Sequence, residues 1–532
     1  MKKILKNITV FVITIFVITG CEDDFDITDP TAFTLEDVLE LEDGFELLSL
    51  GVIDAYQKVV NSEYLVLELR SDNTVANTLN GTIADINSYA ITATEGNSAN
   101  YYSNNLQTIA KANQVIDNRN LATEDYQYTI GEAYFMRALC HFNIVRAYLN
   151  VPYIDSAIDV ASSDILNYPQ LDPSEVYAKI IEDFSTSIAY LQLSPVTISK
   201  RPSSNAAIAL MAKAYLSQPD PNYAEAEALL SSIIGQNSLI TTTRAAATDY
   251  NLDGTISDGE YYATLSENFG EVFGNEIVSG DYDDTLGVFS GATWDNNDGL
   301  EDNDEVLFQI GFTADTSADD ISSADPTLDS QVETDSEIFS WEMATRAGLS
   351  NGINTASLDF LTVMNATDQP VRFEGTIQSL TFNDLELDTE TFNSKFPIKT
   401  TGEGEGNGND WIVIRYADVL LLYAEAILAG EDQTTNQSAI DSYNEVRERA
   451  GLETLPLGSV LTSDQLLEER RVEFAFENQR LFDLIRFGVV DDVLSAFSTS
   501  NSLNYTPSKA YLPFPQREID ATNGFYSQNP GY

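Results

Sequence analysis

The stretch from Asp249 to Glu260 carries oxygen donors at the spacing of a twelve-position EF-hand-type calcium loop. Asp249, Asn251 and Asp253 stand at positions 1, 3 and 5, and Gly254 supplies the sharp turn at position 6. Thr255 offers its backbone carbonyl at position 7, Ser257 stands at 9, and Glu260 at 12 can bind bidentately. Apolar Ile256, at position 8, belongs to the same pattern. The plainer account is an acidic Asn/Gly turn, common in so acidic a chain. Every liganding position is filled, which favours a structural Ca2+ that stiffens its surroundings. The acidic run from Asp295 to Glu305 has its Gly299 out of register, and no calcium loop is assigned to it.

Residues for other chemistries are scarce. His141 is the single histidine, and Cys21 and Cys140 are the two cysteines. Triads built on His, and His-rich metal sites, therefore lack raw material. The 84 acidic residues guarantee many accidental carboxylate pairs, so they do not argue for glycoside cleavage. No glycine-rich loop joins a strand to a helix as a phosphate site requires, and Gly402 to Gly408 fails that context. The chain reads as a protein that is not an enzyme.

The N-terminus gives an address. Lys2, Lys3 and Lys6 precede a short apolar run, Ile8 to Thr19, and then Gly20-Cys21. The run is too short to span a bilayer comfortably and fits a signal peptide over residues 1–20. Small residues before Cys21, and a thiol directly after the cut, resemble a bacterial lipobox, with Cys21 the lipidation site. The acids Glu22-Asp23-Asp24 that follow resemble the signal sending lipoproteins to the outer face of the outer membrane. With Cys21 lipidated, Cys140 has no partner within the chain and reads as a small buried apolar residue. Loss of three lysines with the signal moves the net charge from −57 to −60. That field excludes nucleic acid and disfavours polyanionic ligands.

These features need a scaffold, and helical periodicity supplies one at both ends of the chain. Helices are predicted over 36–60 (N-capped by Thr34), 99–118, 124–149, 174–191, 204–217, 223–234, 412–429, 438–450 and 463–477. In the third of these, Tyr134, Phe135, Leu139, Phe142, Val145 and Leu149 share one face. Residues 206–236 and 417–451 share a helix–turn–helix grammar, with small residues such as Ala424, Ala426 and Ala439 where helices must nest, the mechanism behind tetratricopeptide repeats. From about 240 to 405 the pattern turns to Gly, Asn, Asp, Ser and Thr, with short strand-like pieces such as 306–312. The expected fold is mainly α: a tetratricopeptide-like scaffold (21–235 and 408–532) and an irregular, loop-rich half with short strands (236–407), in one globule.

Four blocks then carry a family resemblance. They are Glu132 to Leu139 running on through Arg146 to Val151-Pro152-Tyr153-Ile154; Arg415 to Ala426; Glu469 to Glu477 with Arg480 to Gly488; and Tyr511 to Ile519. In this order, behind a lipobox, they resemble the SusD/RagB family of nutrient-binding outer-membrane lipoproteins. The resemblance implies a surface protein that captures glycan and docks as a lid on a SusC-like, TonB-dependent outer-membrane transporter. Some relatives capture peptides instead. In the third block, Arg470–Glu473, Glu477–Arg480 and Asp483–Arg486 are three apart and suited to mutual ion pairing as scaffold. Trp411 reads as packing.

For ligand contacts, sugars present flat C–H faces to aromatic rings and hydroxyls to planar polar groups. Trp294 and Trp341 lie among polar neighbours in the irregular region and are candidate platforms for a neutral glycan. Arg70, Asp72 and Asn73 lie where the resemblance places polar ligand contacts.

Overall fold

The computed structural model describes residues 34–76, 81–158, 163–248, 255–273, 275–283, 288–296, 304–311, 355–365, 367–380, 390–393 and 410–532. The predicted signal peptide, Cys21 and the acids Glu22-Asp23-Asp24 lie outside these residues. Two compact units result, residues 1–44 and 45–532. In the first, helix α1 (Leu35–Leu39) is opened by Thr34 in a capping box with Asp37. The predicted helix over 36–60 is thus two, because the chain turns after Leu39 and α2 runs Gly44–Leu67.

The second unit is dominated by helices. After α3 (Gly81–Asn87) come α4 (Gly96–Asp117), α5 (Gln127–Tyr148), α6 (Pro173–Leu191), α7 (Ser204–Ser217) and α8 (Tyr223–Ile233). Each of α4 to α7 packs on the next, and between α5 and α6 the short strands β2 (Val151–Pro152) and β3 (Gln170–Leu171) pair antiparallel. α12 (Tyr416–Leu428) then packs on α8, and α13 (Gln437–Arg449) on α12. The two predicted helical hairpins are therefore neighbours in one tetratricopeptide-like array. Ala424, Ala426 and Ala439 are buried where the helices meet. α5 departs from the one-faced helix expected of it. Of its 22 residues 19 are buried, so it is a central helix wrapped on all sides. Gly131 permits this: a Cβ there would stand 2.8 Å from the Cβ of Tyr190 on α6.

The irregular region enters as short pieces. α9 (Asp258–Glu271) packs on α11 (Pro370–Thr376), and α10 spans Leu358–Val363. β4 (Asn275–Asp283) pairs antiparallel with β5 (Val288–Asn296), and β8 (Ile377–Leu380) with β9 (Glu390–Asn393). Two pairings stitch this region to the scaffold. β1 (Thr74–Val75) pairs with β7 (Thr355–Ala356), and β6 (Val306–Ile310) with β10 (Trp411–Arg415). The predicted helix from Ile412 therefore begins four residues late. Trp411-Ile412-Val413-Ile414 is β-branched and aromatic, and the available partner strand overrides its helical reading.

The predicted helix over 463–477 is also corrected. α14 (Ser463–Glu473) stops because Phe476 and Asn478 take φ of 64° and 56°, before α15 (Arg480–Arg486) starts. A buried Phe in that region carries strain of roughly 1–3 kcal/mol. Packing of its ring against Phe360 of α10, 5.7 Å between centroids, holds it there. α16 (Val490–Asn501) and α17 (Gln516–Ala521) complete the chain.

Candidate ligand-binding region and the buried charges that hold it

Arg415 ends β10 and faces three carboxylates. Its Nη1 donates to Glu305 Oε1 at 2.9 Å and to Glu473 Oε1 at 2.6 Å, while Nε and Nη2 reach Glu477, both at 3.0 Å. Glu305 sits immediately before β6, so the strand pairing that joins the two regions also delivers this carboxylate. Arg449, at the end of α13, adds a second guanidinium between Glu305 and Glu473. Arg372 of α11 brings a third, giving Nε to Glu473 at 2.8 Å and Nη2 to Glu469. All of these side chains are buried. Burial alone would penalise each guanidinium, but the facing carboxylates outweigh it and raise Arg372 and Arg415 above the usual range.

A second cluster lies within the scaffold. Asp418 accepts from Lys213 at 2.7 Å and Arg470 at 2.8 Å, and Asp483 accepts from Arg470 and Arg486. Burial pushes Asp418 up; the two cations outweigh it and hold the carboxyl well below its ordinary value. Burial lowers Lys213 to about 8 despite Asp418. These contacts correct the local pairings expected in the third block. Only Asp483–Arg486 forms, at 2.8 Å. Arg470, Glu473, Glu477 and Arg480 instead take partners from other elements, and they are buried rather than exposed.

Arg70, Asp72 and Asn73 are likewise scaffold, which overturns their reading as ligand contacts. They are 1%, 2% and 0% exposed. Arg70 Nη2 donates to the carbonyls of Lys509 and Ala510, both at 2.8 Å. Asp72 receives Arg480 bidentately at 2.8 and 2.9 Å, and Arg471 Nε donates to Asn73 Oδ1 at 3.0 Å. Burial opposes the Asp72 charge, yet Arg480 and Arg471 lower its pKa. Ser357, beside β7, donates its hydroxyl to the Asp72 carbonyl at 2.6 Å, so this segment is a second tie to the irregular region.

Of the aromatic candidates, Trp294 lies in β5 opposite Ile277, next to a register shift between Ile277 and Ser279. Its side chain and all of Trp341 lie outside the described residues. Asp249, Asn251 and Asp253 also lie outside them. In the described part, Thr255 and Ser257 are exposed and α9 begins at Asp258, so Glu260 falls in its first turn. Among the described residues no group of three or more His, Cys, Asp or Glu is placed to hold a metal.

His141 and Cys140 are both fully buried in α5. His141 Nε2 accepts from the Ile154 amide at 3.0 Å, so Nδ1 carries the proton and donates to the Arg137 carbonyl. Burial lowers this imidazole to about 3. Its ring stacks on Tyr153 with centroids 3.9 Å apart. α5 is further locked by Arg137 on Asp183, two contacts of 2.7 Å, and by Glu132 on Arg201. Trp411 is buried, as expected of a packing residue. The sequence reading missed the roles of Glu305, Arg372 and Arg449, since nothing in their local spacing distinguishes them.

A family model described as the SusD family matches residues 256–532. This chain belongs to the SusD family. A second model, described as starch-binding associating with outer membrane, matches residues 35–216. The SusD-like protein P2 of Formosa agariphila is 25% identical over 468 residues, covering 84% of this chain and 83% of that protein. Among solved SusD structures, a laminarin-binding SusD-like protein superposes with a TM-score of 0.68 at 23% identity, over 92% of this chain and 99% of that one. Surface glycan-binding protein A of Bacteroides thetaiotaomicron, in complex with laminarihexaose, gives 0.65 at 18% identity, over 92% and 99%. At these identities the structural likeness speaks for the SusD fold. No described helix is long and apolar enough to cross a membrane.

Proposed function

We propose that this protein captures a neutral glycan at the outer face of the outer membrane and passes it to a SusC-like, TonB-dependent transporter. The lipid on Cys21 anchors it, and catalysis is no part of its task. The observation that carries the reading is the likeness in fold, across 92% of this chain, to proteins that hold laminarin and laminarihexaose. The chain's interior supports it as well. His141, the single histidine, and Cys140 are buried in α5, out of reach of a substrate that a His- or Cys-dependent mechanism would attack.

In this account the buried guanidinium–carboxylate clusters fix the irregular region on the helical array, so a ligand meets a preorganised surface. Trp294 and Trp341 stack on sugar faces. Ca2+ held by Asp249, Asn251, Asp253, Thr255 and Glu260 stiffens the loop ahead of α9. Affinity electrophoresis through gels holding laminarin, other neutral glycans, acidic polysaccharides or none tests the reading. Retardation by at least one neutral glycan is expected. Mobility unchanged by every glycan, with binding to peptides instead, would replace it by peptide capture.

A further inference from the structure

The helical half carries a cleft of about 470 Å3, within the size range of small-molecule sites. Its walls are the end of α5, the start of α6, the α7–α8 turn and α15. Tyr177, Tyr223, Tyr511 and Phe482 are among its lining rings, and Arg146 and Arg486 line it too. Arg486 gives Nε and Nη2 to Glu425 at 2.8 and 2.9 Å, while its buried Nη1 has no hydrogen-bond partner among the described residues. Arg146 is the less satisfied of the two. Its guanidinium carbon stands 3.9 Å from the Phe142 ring centroid and 4.2 Å from that of Phe482. Its Nε donates to the Phe142 carbonyl at 3.2 Å and Nη2 to Asn143 Oδ1 at 3.0 Å, both uncharged acceptors.

Among the described residues no carboxylate lies within ion-pair distance of Arg146. Glu63 shares a neighbouring cavity of about 40 Å3 with it. Burial lifts Glu63 to about 7, so below neutrality that carboxyl is mostly uncharged. A half-buried guanidinium with no carboxylate at ion-pair distance favours an incoming anion.

We propose that this cleft is a second ligand site, for an acidic sugar residue whose carboxylate meets Arg146 and whose ring lies against the tyrosines. The planar fork of an arginine suits a carboxylate, and tyrosine faces suit the C–H side of a pyranose. The net charge of −57 opposes polyanions at a distance. That field is screened over about 8 Å at physiological salt, so inside the cleft the nearby cation dominates. The cleft lies in the helical half, and binding there and the proposed glycan capture can each fail without the other.

The test is titration of the full mature chain with sodium glucuronate, followed by ligand-observed NMR, with glucose, acetate and a short acidic peptide in parallel. Saturable glucuronate binding is expected, with glucose and acetate weaker by about tenfold or more, the scale of one charge-assisted hydrogen bond. Arg146→Met should weaken glucuronate by a similar factor. Ser217→Trp fills the cleft from its rim with both arginines intact, and should abolish glucuronate binding while laminarihexaose affinity stays unchanged. Thermal melts of both variants separate loss of binding from loss of fold. No saturable binding to the wild type, equal binding of glucose or acetate, preference for the peptide, or unaltered binding in a folded Ser217→Trp would overturn the proposal.

Discussion

Arg415 and Glu473 meet at 2.6 Å where the strand β10 abuts the end of helix α14, with both side chains buried. Glu473 is shared with Arg372 and Arg449, and Arg415 with Glu305 and Glu477. The pair therefore ties α11, β6, β10, α13 and α14 together. Such a cluster adds little net stability over an apolar core, but breaking it from one side leaves charges uncompensated. Arg415→Met should cost roughly 3–5 kcal/mol in urea unfolding. An unchanged midpoint would mean that this cluster does not hold the two regions together.

Glu63 sets a pH dependence. Burial raises its carboxyl to about 7, against an ordinary value of 4.5, with Arg146 and Asn478 offsetting only part of the effect. The folded chain therefore keeps this proton between about 4.5 and 7 while the unfolded chain has released it. Stability from this group falls as pH rises through that window and is level above it. His141 acts in the opposite sense, since its folded value near 3 lies below 6.5 and acid favours the unfolded state. It is common to wild type and Glu63→Gln and cancels in their comparison. Glu63→Gln should gain up to about 3 kcal/mol over wild type near pH 8 and little near pH 4. Equal differences at the two pH values would contradict the buried-carboxyl account.

Much of the scaffold was legible because helical periodicity and capping act over a few residues. The helices over 174–191, 204–217 and 438–450 were placed to within a residue at each end for that reason. What escaped depends on partners far along the chain. Trp411 to Arg415 reads as helix until β6 is beside it, and Glu305 meets Arg415 across 110 residues. Arg70, Asp72 and Asn73 looked suited to a ligand by type, but burial and the claims of Arg471 and Arg480 decide otherwise. The third block was recognised as scaffold while its pairings were not, because i,i+3 spacing names neighbours and says nothing of stronger partners elsewhere.

The anchor is open to direct chemistry. Tryptic peptides of the membrane-extracted protein should begin at Cys21 and carry acyl chains by mass spectrometry. An unmodified Cys21, or a retained residue 1–20 segment, would remove the lipid anchor from the account.

Calcium has its own readout. Chelated protein titrated with Ca2+ in a calorimeter should show a binding event that Glu260→Ala loses, because both oxygens of the bidentate ligand go with it. Thermal stability of the wild type should rise with Ca2+, by mass action on the folded state. Absence of any event in chelator-treated wild type would reduce the loop to an acidic turn.

Glycan capture itself is tested most directly by titrating laminarihexaose into the purified mature chain, beside Trp294→Ala and Trp341→Ala. Saturable binding by the wild type is expected, with a loss of roughly 1–3 kcal/mol in each variant, the scale of an aromatic anchor, and melting temperatures unchanged. No saturable binding across a wider set of neutral oligosaccharides would contradict glycan capture, and wild-type binding by both folded tryptophan variants would contradict the part given to Trp294 and Trp341.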